Sequence, residues 1–181
     1  PIERMTRDGI VTKGEEYRVD SIVFATGFDA ITGALLKVDI RGRGGVKLRD
    51  KWIKGPRAYL GLATTDFPNL FMITGPGSPS VLSNVIVSIE QHVDWIGECL
   101  QYMRNHGATR IEPRQTAEDD WITHVNEVAD ASLRSKVGSW YDGANIPGKA
   151  RIFMPYIGGL PEYAEKCADI AAHGYEGFVL S

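Results

Sequence analysis

The chain has 181 residues, close to one domain at about 150 residues each. Hydrophobic residues make up 43% and charged residues 24%, which excludes a disordered tail, a collagen-like repeat and a disulfide-stapled miniature. The net charge is −3 and no basic stripe appears, so neither nucleic acid nor an anionic membrane surface is an expected partner.

Near the start, Gly14 lies between Ile10-Val11-Thr12 and Tyr17-Arg18-Val19, which predicts a hairpin within 9–25. Ser21-Ile22-Val23-Phe24-Ala25 is a short apolar run that predicts a strand buried on both faces. Residues 38–60 are turn-rich, and Arg41-Gly42-Arg43-Gly44-Gly45 reads as a turn rather than an RNA-binding segment. Leu70-Phe71-Met72-Ile73 predicts another buried strand. Residues 67–89 carry no charge, but their glycines and prolines break the backbone too often for a bilayer, so a buried loop is expected.

The clearest helix lies near 82–106, with an apolar stripe of Val85, Ile89, Val93, Ile96, Leu100 and Met103 and Gly107 as its stop. A second helix is predicted over about 117–136, capped by Thr116, with Trp121, Val125, Val128 and Leu133 facing inward. A glycine-rich aromatic loop follows at 138–149, then a predicted strand from Arg151 to Tyr156. Pro161 opens a third helix that Gly174 closes.

Self-contained catalytic machinery is sparse. His92, His106, His124 and His173 lack metal-ligand spacing and read as helix-surface or helix-end residues. Glu118-Asp119-Asp120 reads as a charge cluster complementing a helix N-terminus. Cys99 and Cys167 have no CxxC partner and read as reduced thiols. No signal-peptide pattern follows Pro1, so a cytoplasmic location is expected. Three segments carry more. Ala25-Thr26-Gly27 ends a predicted buried strand, where α/β sheets bind nucleotides. Gly75 to Asn84 leads into the long helix, whose N-terminal amides suit a phosphate or the edge of a flavin. The loop from Trp140 to Lys149 reads either as a mobile lid or as a core anchor.

With these segments the chain resembles the C-terminal part of the Baeyer–Villiger flavoprotein monooxygenases, most of all the cyclohexanone and phenylacetone monooxygenase branch. The matching stretches, in order, are Phe24-Ala25-Thr26-Gly27-Phe28-Asp29-Ala30, Phe67-Pro68-Asn69-Leu70-Phe71, Gly75-Pro76-Gly77-Ser78-Pro79-Ser80, Ser88-Ile89-Glu90-Gln91-His92-Val93, Ser139-Trp140-Tyr141 with Gly143-Ala144-Asn145-Ile146-Pro147-Gly148-Lys149, and Tyr175-Glu176-Gly177-Phe178. The resemblance implies an enzyme that uses FAD, NADPH and O2 to insert one oxygen atom beside a ketone carbonyl, giving an ester or lactone. It implies an α/β fold, here the C-terminal fragment of a flavoprotein with two dinucleotide-binding domains, with short strands and three main helices. Residues 1–30 and 66–106 would complete the FAD domain, 31–65 would form a turn-rich hairpin insertion, and 107–181 an α-rich region with a mobile Trp loop.

The same resemblance implies roles residue by residue. Thr26 and Gly27 match a second, non-glycine-rich FAD/NADP motif, and Val85 matches a position whose backbone meets the flavin. Ser80, Val81 and Leu82 match a loop lining the substrate pocket, and Met154 and Pro155 match another part of its wall. Trp140 matches the loop tryptophan that contacts the nicotinamide cofactor, and Lys149 the end of that loop. The family's two glycine-rich fingerprints and its catalytic arginine lie upstream of the matching region. The fragment alone is therefore expected to be inactive, to hold cofactor weakly or not at all, and to self-associate. An N-hydroxylating or sulfoxidising relative and a non-catalytic binding module are the alternatives.

Overall fold

The computed structural model describes residues 1–181, except for the side chains at positions 134 and 135. Strands β1 (Ile2–Met5), β2 (Gly9–Thr12) and β3 (Glu15–Arg18) form an antiparallel sheet in that order. The β2–β3 turn is Lys13-Gly14 with both φ angles positive (49° and 79°), the backbone that two-residue hairpins need. Short helices α1 (Gly33–Lys37) and α2 (Leu48–Lys51) follow. Between them a tight turn at Arg43–Gly45 is closed by an isolated bridge of Arg41 with Lys47, as the glycine cluster predicts.

Three long helices build the main core. These are α3 (Val85–Asn105), α4 (Gln115–Asp130) and α5 (Leu160–Ala172). Between them Trp95, Cys99, Met103, Trp121, Val125, Tyr163, Cys167 and Ile170 are buried together. Each large side chain enclosed there contributes about 1.5–3 kcal/mol. Two of the polar tips find partners across the core. The Trp95 indole N–H donates to the Cys167 carbonyl (2.9 Å), and the Tyr163 hydroxyl donates to the Leu60 carbonyl (2.7 Å). Both cysteines are buried and free, and burial pushes the Cys99 thiol to about 12 and the Cys167 thiol to about 11. Strands β4 (Ile111–Pro113) and β5 (Phe178–Leu180) pair antiparallel beside this core. A smaller cluster joins Leu48, Trp52, Ala58, Phe67 and Met72.

Several sequence expectations are corrected. Residues 21–25 form no strand. Val23 and Phe28 are 88% exposed and Phe24 is 68% exposed. A buried strand needs neighbours to complete its ladder and cover both faces, and no described residue pairs with this segment. Residues 70–73 and 151–156 are likewise not strands; their backbone groups bond singly to loop residues rather than in a ladder. The α3 stripe is right only in part: Met103 is buried and Ile96 packs against the core, but the rest of the buried face is a different stripe. Ser88, His92, Trp95, Cys99 and Met103 face the core, while Val85, Val93 and Leu100 are 43–50% exposed. Both stripes share the three-or-four spacing, and the core takes the one carrying the indole and the hydrogen-bonded imidazole. Helix α4 begins after Arg114 rather than Thr116 and ends at Asp130, so Leu133 stands exposed. The stops at Gly107 (φ 66°) and Gly174 (φ 70°), and Pro161 in the first turn of α5, match the sequence reading. Among the described residues no helix is long and apolar enough to cross a membrane, and no His/Cys/Asp/Glu group is arranged to hold a metal.

Candidate functional site

An open cleft of about 620 Å³ lies between the turn at 30–35, the segment 71–75, residues Ser80 and Val81, and Trp140. The Gly75–Ser80 loop lines it at its two ends, Gly75 and Ser80, and is fixed from behind between them. The Trp121 indole N–H on α4 donates to the Gly77 carbonyl (3.0 Å), the Gly77 N–H to the Met154 carbonyl (2.6 Å), and the Tyr156 N–H to the Ser78 carbonyl (3.0 Å). A loop held at both backbone groups of Gly77 keeps its shape without regular secondary structure.

Two β-branched residues, Ile31 (φ 67°) and Thr74 (φ 52°), adopt left-handed backbone, and both line this cleft. Such backbone costs about 1–3 kcal/mol and persists where surrounding contacts enforce it, commonly at functional sites. Thr74 is enforced by His92, whose Nδ1 accepts from the Thr74 N–H (3.0 Å). That bond places the imidazole proton on Nε2, which has no partner among the described residues. His92 is fully buried, correcting its reading as a helix-surface residue, and burial lowers its pKa to about 4. The Ser80 hydroxyl beside the cleft is also buried without a partner.

Glu118 lies in the first turn of α4, as the sequence reading has it, and the structure adds that its side chain is fully buried. Its carboxylate accepts from the Thr64 hydroxyl (2.8 Å), the Thr65 N–H (3.0 Å) and the Thr65 hydroxyl (3.1 Å). Lys51 Nζ at 3.4 Å and Arg57 Nε at 3.6 Å balance its charge. This hub ties the 57–65 segment to α4 one turn before Trp121, the residue that holds Gly77. The signal was present in the sequence, because Glu118 is three residues before Trp121 and seven before Val125, on the same helix face.

Of the residues singled out in the sequence, Ser80, Val81 and Trp140 meet at the cleft. Leu82 is exposed beyond it, with φ 67°. Val85 stands exposed at the start of α3. Thr26 and Gly27 are exposed on the segment leading to the Ile31 turn. Met154 and Pro155 are buried behind the Gly77 loop and do not line the cleft. Lys149 does not line it either; its ammonium pairs with Asp29. Ile31, Phe71 and Thr74 line the cleft without having been singled out.

No protein-family model matches the chain. Individual relatives do. A Baeyer–Villiger monooxygenase of Pseudooceanicola batsensis is 43% identical over 180 residues, covering 99% of this chain and 33% of the relative. A phenazine N-monooxygenase of Lysobacter antibioticus is 41% identical over 181 residues, with the same 33% share. Among solved structures, a closed cyclohexanone monooxygenase superposes with a TM-score of 0.92 at 43% identity, covering all of this chain and 34% of that one. A structure of OTEMO in complex with FAD and NADP gives a TM-score of 0.90 at 37% identity. The chain thus spans about one third of the length of the relatives it matches. Over its whole length, the chain is homologous to the Baeyer–Villiger flavin monooxygenases.

Proposed function

We propose that the protein containing this chain is an FAD- and NADPH-dependent monooxygenase that converts ketones to esters or lactones with O2. The observation that carries this reading is the cleft where the Gly75–Val81 wall meets Trp140, within a chain homologous throughout to enzymes of that activity. The residues present fit the cofactors. The first turn of α3, where the Asn84 side chain caps the Ile86 N–H, exposes Val85, Ile86 and Val87 as an apolar rim that suits the edge of a flat ring. Thr26, Gly27 and Val85 would hold FAD, and Trp140 and Lys149 would serve NADP. When bound, the reduced flavin with O2 supplies the inserted oxygen atom, and NADPH supplies the electrons. The chain's own part is positional. Ser80, Val81 and Leu82 shape the ketone site, Met154 and Pro155 support it from behind, and the Trp140 loop excludes water.

The 181-residue chain alone is inactive in this reading, because its sequence has neither glycine-rich nucleotide fingerprint nor the family's arginine. Ketone-dependent NADPH oxidation by the refolded chain would overturn that part. The phenazine N-monooxygenase likeness favours N-oxidation as a second reading. Product analysis with matched ketone, amine and sulfide substrates separates the two. An ester or lactone as the main product supports the first reading, and an N-oxide or sulfoxide as the main product overturns it.

A further inference from the structure

We propose that Asp29 is a positioning residue whose ion pair with Lys149 latches the 138–149 loop, and with it Trp140, onto the turn that forms the opposite wall of the cleft. Lys149 Nζ donates to the Asp29 carboxylate across 120 residues of sequence, with side chains only 14% and 33% exposed. A second bond runs alongside, from the Asn145 side-chain amide to the Phe28 carbonyl (3.0 Å). Two adjacent residues of one segment thus hold two residues of the other.

Both partners are shaped for the contact by glycines. A Cβ on Gly33 would lie 2.6 Å from the Asp29 Cβ and 3.0 Å from its Oδ2, so the carboxylate lies directly across the start of α1. A Cβ on Gly143 would lie 2.9 Å from the Lys149 Cδ, so the lysine stem folds back over its own loop. The front of that loop is a unit of its own. The Ser139 hydroxyl accepts from the Tyr141 N–H (3.2 Å), and the Asp142 carboxylate accepts from the Ser139 and Ala144 N–H groups (3.0 Å each). Its rear anchor is the Tyr141 carbonyl, which accepts from Met154 N–H (2.9 Å). The latch is what joins this unit to the turn carrying Ile31, two residues beyond Asp29 and across the cleft from Trp140. Lys149 therefore acts on the cleft through Asp29, not by lining it.

The link from Trp140 to a nicotinamide cofactor rests on the proposed function, but the latch does not, so the two can fail separately. Hydrogen exchange on the chain carrying Asp29→Asn or Lys149→Met should show the loop amides of Ile146 and Lys149 exchanging at least fivefold faster, with the α3–α5 core amides unchanged. The swapped pair D29K/K149D should recover to within twofold of the parent chain, and Gly33→Ala should mimic D29N. Unchanged loop exchange in both single variants, or a swap no better than the singles, overturns the latch. In the complete protein, D29N should raise the NADPH KM severalfold more than it lowers kcat. Faster loop exchange with an unmoved NADPH KM supports the latch and refutes the cofactor reading of Trp140.

Discussion

Removing the Glu118 carboxylate is the most searching test of the packing. Glu118→Ala deletes three hydrogen bonds of 2.8–3.1 Å to Thr64 and Thr65, each contributing about 1 kcal/mol. It also removes the anionic partner of the Lys51 ammonium, which keeps only its bonds to the Thr65 carbonyl and hydroxyl; that side chain is only 12% exposed and burial already lowers its pKa. Breaking a buried pair from one side costs about 3–5 kcal/mol in all, a figure that already includes the lost hydrogen bonds. A total loss of about 4 kcal/mol is expected, or about 8–16 °C in Tm for a chain of this size. Urea and thermal unfolding measure both. Glu118→Gln keeps an acceptor for Thr65 and should lose roughly half as much. Adding Lys51→Met to Glu118→Ala removes the cation left without its carboxylate, so the double variant should lose less than the sum of the two singles. A Glu118→Ala loss under about 1 kcal/mol, or strict additivity with Lys51→Met, would refute the hub.

Two further outcomes follow from the same structure. His92 is neutral and buried with a pKa of about 4, so its contribution is intact above the unfolded value near 6.5 and is lost as pH falls towards 4. That loss is about 3 kcal/mol, and His92→Gln should flatten it; parallel pH–stability profiles for the two proteins would contradict the assignment. The exposed Val23, Phe24 and Phe28, with the outer face of α3, should make the isolated chain self-associate, as measured by light scattering. Serine at those three positions should reduce the association, and a monodisperse parent monomer would contradict it.

The parts legible in the sequence were those set by local chemistry. Lys13-Gly14 specifies its turn by backbone alone, and Pro161 and Gly174 bracket α5 by the asymmetry of helix ends. What was not legible depends on distant partners. Residues 21–25 have strand composition, but a ladder requires a neighbour that the described residues do not supply. Helix α3 carries two stripes at one spacing, and only tertiary packing chooses between them. Strands β4 and β5 have three residues each, too few for alternation to register. At the site, Ser80, Val81 and Trp140 were named by motif. Ile31 and Thr74 escaped because strained backbone leaves no compositional trace, and His92 and Asp29 because their partners lie 18 and 120 residues away.

The most direct test of the central claim is a labelling experiment on the complete gene product that contains this chain, using a simple cyclic ketone, NADPH and ¹⁸O₂. The account predicts a lactone carrying one ¹⁸O atom, formed with one NADPH consumed per product molecule. NADPH consumption that yields no ¹⁸O-labelled ester or lactone would contradict it.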